Sequence, residues 1–318
     1  MFLPEVKSKV NEDISILIKL DNYSFNFICE CGDASDLTVK ECQNNEAIFI
    51  SHTHIDHFIN FDFILRHQIG IGRRIIICGP EGITKQVQSK IKGYQWNLIE
   101  KNSITYEIRE IKKDGQVEIS EINPPHWEII KLENKNPDNL FKNERFSVDF
   151  VILDHKTDSI AYLFKEEDTV KIDISKSEFK GGKWVRELKN AYEQGNETAL
   201  IQIEDQEFKA TELFHLLEIK KGDSLGVIMD HAANESNHKK IQSLFQNCNQ
   251  AFIECFYKAE DKEFAKQNFH SYAEESAKIM KACNIKTATP VHFSRKYKEE
   301  EVKVLLDEFY AHLKKGEK

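Results

Sequence analysis

Seven consecutive residues, Ser51-His52-Thr53-His54-Ile55-Asp56-His57, put three imidazoles and a carboxylate within reach of one another. Such groups are costly to pack as ordinary core, because each needs a hydrogen-bond partner or must stay wet. A divalent metal satisfies all of them at once. His52 and His54, two apart in an extended turn, can point into one site, while Asp56 and His57, opening the next element, can face a second site beside it. The spacing predicts a binuclear metal centre, the kind of site that activates water.

Positioning these groups requires a strand before them and a helix after. Ala47 to Ile50 is a short apolar run with the length and β-branched content of a buried strand, and Phe58 to Ile69 has the apolar spacing of a helix. The strands Ile14 to Leu20 and Tyr23 to Cys29, joined at Asp21-Asn22, read as a hairpin, and Cys31-Gly32-Asp33 as a turn. Arg74 to Cys78 is another strand, closed by Gly79-Pro80, with helical character after it to Ile91. Short strands follow at 104–108, 117–122 and 127–130, with His126 as a turn residue. Further strands are expected at 146–153, 160–164, 225–229, 251–254 and 287–291, and helices at 183–192, 235–245 and 270–283, the last with Ser271 as its cap. In the final helix, Val302, Leu305, Leu306, Phe309 and Leu313 form a core-facing stripe. The strand ends repeatedly present Asp or His: residues 52 to 57, His155, Asp230 and His292. In an alternating α/β chain this placement points to one face, where loops at strand ends build a site. His67, His215, His238 and His312 follow no such pattern.

The chain has 318 residues and a formal net charge of −9. That length supports a sizeable core, and we read 1–318 as one domain; the polar segment 165–196, in which acidic residues nearly balance the basic ones, reads first as a solvated face and second as a reduced substrate arm. The acidic balance argues for a soluble protein and against a general nucleic-acid coat. The N-terminus lacks a secretory pattern, and no apolar run approaches the roughly 20 residues that cross a bilayer. Seven scattered cysteines, without a Cys-x-x-Cys pair, fit reduced thiols in a cytoplasm.

From about Phe27 to Tyr297 the chain resembles the metallo-β-lactamase fold superfamily, and within it the ribonuclease Z branch. The His-x-His-x-Asp-His element carries the superfamily. The branch rests on Leu153-Asp154-His155, Gly182-Lys183-Trp184, Ile228-Met229-Asp230, Glu254-Cys255-Phe256, His270-Ser271-Tyr272-Ala273 and Val291-His292-Phe293-Ser294-Arg295-Lys296-Tyr297. The resemblance implies a four-layer αββα sandwich with the metals at one edge between its sheets. It implies His52, His54 and His155 on one zinc, Asp56, His57 and His292 on the other, and Asp230 bridging. It implies His270 as proton donor and a homodimer in which one subunit's arm serves the other's site. Ile55 stands where the family commonly has glycine, His231 where it commonly has threonine, and Gly181-Gly182 where it tends to Gly-Pro.

The function expected is that of a metal-dependent phosphodiesterase, a ribonuclease Z-like endoribonuclease acting on precursor tRNA. Its nucleophile would be a hydroxide bridging two Zn²⁺ ions about 3.5–4 Å apart, with Asp56 orienting it. Mn²⁺ or Fe would also suit the mixed imidazole and carboxylate donors. Ser294, Arg295 and Lys296, just after a ligand, are the expected substrate contacts, with Lys183 or Arg186 farther away and His231 as a partner to a metal-bound group. A first alternative keeps the metals and takes small or cyclic nucleotide phosphodiesters, or another ester. A second is a non-catalytic RNA-binding or scaffold module.

Overall fold

The computed structural model describes residues 1–132 and 139–314. Contacts divide the chain into one unit formed by Met1–Lys165 with Ser224–Lys318 and another formed by Glu166–Asp223. In the first unit, β1 (Phe2–Val6), β2 (Ile16–Leu20), β3 (Asn26–Cys29), β4 (Asn45–Phe49), β5 (Arg74–Pro80), β6 (Thr105–Ile111), β7 (Val117–Asn123) and β8 (Glu128–Lys131) make one sheet in which spatial order follows chain order. β3 to β6 pair in parallel, and the flanking strands pair antiparallel.

The second sheet of this unit takes β9 (Phe141–Lys142), β10 (Phe146–Asp154) and β11 (Asp158–Glu166), and then strands that follow an excursion through the other unit. That smaller unit pairs β12 (Thr169–Ile172) with β15 (Leu217–Lys220), and β13 (Leu200–Ile203) with β14 (Gln206–Lys209). Its own core holds Trp184 and Leu188, from the helix Lys183–Glu193, against Ile201, Ile203, Leu213 and Leu216. Because β12 finds its partner at β15, this unit extends well past residue 196. The chain then returns through β16 (Ser224–Ile228), β17 (Gln250–Glu254) and β18 (Thr287–Val291), giving the order β18-β17-β16-β11-β10-β9.

Side-chain alternation, with successive residues on opposite faces of a strand, sets the layers. Ile16 and Ile18, Phe27 and Cys29, and Ala47 and Phe49 face Phe146, Val148, Tyr162, Phe164, Val227 and Phe252 of the second sheet. Leu17, Ile28 and Ile48 face outward to Phe61, Ile64, Leu65, Val87 and Ile91 of helices Phe61–Gln68 and Ile83–Lys92. On the far side, Ala161, Leu163, Ile228 and Ile253 meet Ile241, Phe245, Ala277, Met280, Leu305 and Phe309 of the C-terminal helices. Helix, sheet, sheet and helix are thus stacked, each interface closed by apolar burial. Phe49 packs edge-on against Tyr162 and Phe164, ring centroids 5.3 and 5.0 Å away.

Three local expectations change. The helix expected over 58–69 is two short ones, Ile55–Phe58 and Phe61–Gln68. The chain breaks between them because Asn60 gives its backbone N–H to Cys31 O at 2.9 Å. The helix expected to open at His270 begins at Ala273, with Tyr272 at the cap position. Ser271 is buried instead, its hydroxyl 2.7 Å from Ser276 Oγ and its N–H given to Glu254. All seven cysteines are buried, and among the described residues no helix is long and apolar enough to cross a membrane.

Candidate metal centre

The histidine-rich turn leaves β4 at the edge where the two sheets are tied together. Tyr162 gives its hydroxyl hydrogen to Ile50 O at 2.7 Å, and Ile160 N–H donates to Ser51 O at 2.9 Å. Gly32 brings the neighbouring turn close, since a Cβ there would lie 2.4 Å from Ile14 O. β16, β17 and β18 run parallel, so their carboxyl ends fall on one edge. Past those ends stand Asp230 and His292, and past β10 stands His155.

These residues converge. Asp230, 2% exposed, has Oδ1 2.9 Å from His292 Nε2 and 3.4 Å from His57 Nε2, and Oδ2 3.5 Å from His155 Nε2 and 3.8 Å from His52 Nε2. His54 Nδ1 is 2.8 Å from His52 Nε2. Asp56 Oδ2 lies 3.8 Å from His57 Nε2 and 3.9 Å from His292 Nε2. Donor atoms of His52, His54 and His155 fall within 4.8 Å of one another, as do those of Asp56, His57 and His292, and of His52, His57 and Asp230. The first two triplets share Asp230 as their common neighbour.

The inward aim of the imidazoles is fixed from behind. His155 Nδ1 lies 2.7 Å from Phe269 O, which can only accept, so the proton sits on Nδ1 and the lone pair on Nε2 faces Asp230. Phe269 presents that carbonyl from a left-handed conformation, φ 59°. His57 Nδ1 is held at 2.9 Å by Glu30, which also accepts the Ser51 N–H at 3.0 Å. Ser51 Oγ is 3.0 Å from His52 Nδ1.

Whether the residues suit metal ions follows from what they lack. His57 Nε2, His292 Nε2 and Asp230 Oδ1 are buried and close together, yet none has a hydrogen bond of acceptable geometry. Orphaned polar atoms in a dry site cost several kcal/mol in sum, about 1–3 each. A cation among them removes that cost, so the donor set fits metal ions. Charge agrees. Burial, with His57 nearby, pushes His52 well below the usual imidazole range, and burial, with His155 nearby, lowers His54. Burial opposes ionisation of Asp230, but His292 and His57 outweigh it and hold the carboxyl well down. Burial likewise opposes a proton on His57, and Asp230 and Glu30 outweigh it, so a proton takes the place a cation would fill.

His270 closes the remaining side. Its Nδ1 bonds Glu254 and lies 3.7 Å from Asp230 Oδ2, and its ring stacks on Phe256, centroids 3.9 Å apart and planes 5° from parallel. Burial opposes protonation of His270 and Glu254 more than offsets it, so its pKa is raised. Glu254 is fully buried and also accepts from His231 N at 3.0 Å and Ser271 N at 3.2 Å. His231 is buried behind Asp230, its Nδ1 2.9 Å from Met229 O and its Nε2 without a partner. Burial lowers its pKa against the pull of Glu254.

The three residues read as substrate contacts sit beside the cluster but are engaged. Arg295 pairs with Asp13, and Lys296 Nζ lies 2.9 Å from Asp261 and about 5 Å above the rings of Tyr257, Phe264 and Tyr297. Ser294 is buried and accepts the Lys296 N–H at 3.5 Å. Of the buried carboxylates that aim His57 and His270, Glu30 is not singled out from sequence, and Glu254 enters only within the Glu254-Cys255-Phe256 stretch, with no role given to it. Each is a lone acid ending an apolar strand run, which was the available signal.

No family model matches the chain. It is 24% identical over 292 residues to ribonuclease Z of Deinococcus radiodurans, covering 88% of this chain and 85% of that one. The crystal structure of the human tRNase Z short form superposes with a TM-score of 0.55 at 15% identity, covering 92% of this chain and 91% of that one. The metallo-β-lactamase fold protein YhfI of Bacillus subtilis superposes at 0.57 and 13% identity, covering 98% and 92%. The chain therefore has the metallo-β-lactamase fold and is similar, over most of its length, to the ribonuclease Z branch of that superfamily.

Proposed function

We propose that this chain is a metal-dependent endoribonuclease that processes the 3′ ends of tRNA precursors, as the names of its relatives suggest. The observation that carries the reading is the convergence of five imidazoles and Asp56 about Asp230, four of the imidazoles and Asp230 buried, from loops that follow strands of two sheets. In it, His52, His54 and His155 would hold one Zn²⁺ and Asp56, His57 and His292 a second, with Asp230 available to both. Bound there, the ions would supply Lewis acidity to a phosphodiester and would make water a better nucleophile at neutral pH.

The chain's own residues do the rest. Glu30, Ser51 and the Phe269 carbonyl hold the imidazoles in register from behind. Asp56, one-third exposed, stands at the mouth of the cluster and orients the attacking water. His270 carries a proton maintained by Glu254 and gives it to the departing alkoxide, which is otherwise a poor leaving group. Phe256, stacked on its face, keeps the ring from turning. In the same reading the Glu166–Asp223 unit is the substrate arm, the protein is a homodimer, and the buried thiols fit a cytoplasmic setting.

Precursor tRNA with a 3′ trailer and a small chromogenic phosphodiester, offered separately to the purified protein, test this. Release of the trailer is expected. Cleavage of the small diester alone would remove the tRNA reading and leave a phosphodiesterase of small or cyclic nucleotides. One observation favours that second reading: the Glu166–Asp223 unit carries fourteen acidic against nine basic side chains, a poor balance for gripping RNA.

A further inference from the structure

A polar cleft of about 450 Å³ opens beside the cluster on its His52 side; Lys113 and Lys156 share its walls with the carboxylates of Glu81, Asp154 and Asp158. Its floor is the turn that carries the metal-centre histidines: Gln86 Nε2 donates to Thr53 Oγ1 at 2.7 Å, which steadies the residue between His52 and His54. Lys156 follows His155 directly, held at φ 61° while its N–H donates to Asp154 Oδ1 at 2.9 Å. Among the described residues neither Lys113 nor Lys156 has an ion-pair partner. The adjacent Lys112, by contrast, is 2.5 Å from Glu110 and 2.8 Å from Glu118, and also faces Glu81 of the cleft at 3.7 Å.

Glu81 faces Lys112 and Asp154 accepts the Lys156 N–H, so the two uncommitted ammonium groups are left to a phosphate, and Asp158, Thr53 and Gln86 to the hydroxyls and base edge of its nucleotide. We propose that this cleft binds the first nucleotide of the fragment that keeps the phosphate after cleavage. This rests on the phosphodiesterase reading above. Hydrolysis breaks the bond to the alkoxide that His270 protonates, and His270 is not among the cleft walls. The strand lying here is therefore the one still esterified to phosphorus.

Trinucleotides labelled with fluorescein and carrying a 5′ or a 3′ terminal phosphate, titrated into the metal-loaded protein and followed by anisotropy, test the cleft without any turnover. Lys113→Met and Lys156→Met should each weaken the tighter-binding probe about fivefold to tenfold. Each should flatten the dependence of log Kd on log salt by about 0.7, the share of one phosphate contact on a single strand. Lys113→Arg should restore the affinity. Equal affinity and equal salt slope in the wild type, Lys113→Met and Lys156→Met would overturn the proposal. Lys113 is remote in sequence from the ligand-bearing turns, so a folding defect in Lys156→Met leaves the test standing. The titration decides the cleft whether or not precursor tRNA is cleaved, and a protein that binds the trinucleotides but spares the precursor counts against the tRNA reading alone.

Discussion

Replacing Glu254 by glutamine changes one atom and removes one charge, in a residue that accepts from three donors and is fully buried. Glutamine offers a single oxygen, and its amide nitrogen must face an N–H that formerly met an acceptor. With that oxygen where Oε2 stood, His231 N and Ser271 N keep their acceptor and the nitrogen meets His270 Nδ1, whose charge-assisted bond is lost at about 1–3 kcal/mol. For a chain of this size that lowers Tm by roughly 2–10 °C. The catalytic loss should exceed what stability explains. Without the carboxylate, burial dominates at His270, and the ring loses both its proton and the partner that aims it. General acid assistance is worth about 10²–10⁴ in rate, so kcat on an unactivated RNA diester should fall about 10²- to 10³-fold. On a p-nitrophenyl diester, whose leaving group departs without a proton, the fall should stay under about fivefold. Because Glu254 acts through His270, Glu254→Gln combined with His270→Ala should be no slower than His270→Ala alone. Equal losses on both substrates, or multiplicative losses in the double variant, would refute the assignment of Glu254 as a positioning residue and of His270 as the acid.

Three further outcomes are expected. His270→Ala should keep its metal content by elemental analysis while losing about 10²–10⁴ in turnover on an unactivated diester, whereas Asp230→Ala should lose metal as well. Full activity of His270→Ala on that substrate would reject its role. Glu30→Gln should weaken metal affinity about 10- to 100-fold in competition with a chromophoric chelator, because His57 loses the partner that fixes its ring; an unchanged affinity would mean that packing alone orients His57. Gly32→Ala forces a Cβ to 2.4 Å from the Ile14 carbonyl, and overpacking of this kind costs about 1–3 kcal/mol or more. A thermal melt matching the wild type would show that the Cys31–Asp33 turn can shift freely.

That these His and Asp residues come together was readable because donor types are concentrated and repeated in the chain. Four donor-type side chains within six positions, followed by Asp or His after three later strands, have few uses besides one shared site. The strands were readable from alternation, as in Ile16, Leu17 and Ile18, which divide between the inner and outer cores. Glu30 and Glu254 were harder, since one acid at a strand end is what a solvated turn also looks like; only burial separates the cases. The start of the last-but-one long helix was misplaced because Ser271, a good cap by type, spends its polar groups on Glu254 and Ser276. Arg295 and Lys296 had the right charge and place for a phosphate, but their acid partners, Asp13 and Asp261, come from distant parts of the chain. The extent of the Glu166–Asp223 unit depended on a pairing between β12 and β15 that local pattern does not encode.

The donors span residues 52 to 292 and belong to both sheets. A growing polypeptide accordingly possesses most of a chelating turn long before it possesses a centre, and early capture of an ion can be only weak and reversible. The final partner arrives when β18 adds itself beside β17 at the rim of the second sheet. Any chemistry that needs all of these donors is thus withheld until β18 docks, and tight metal retention would be a practical report that assembly has finished.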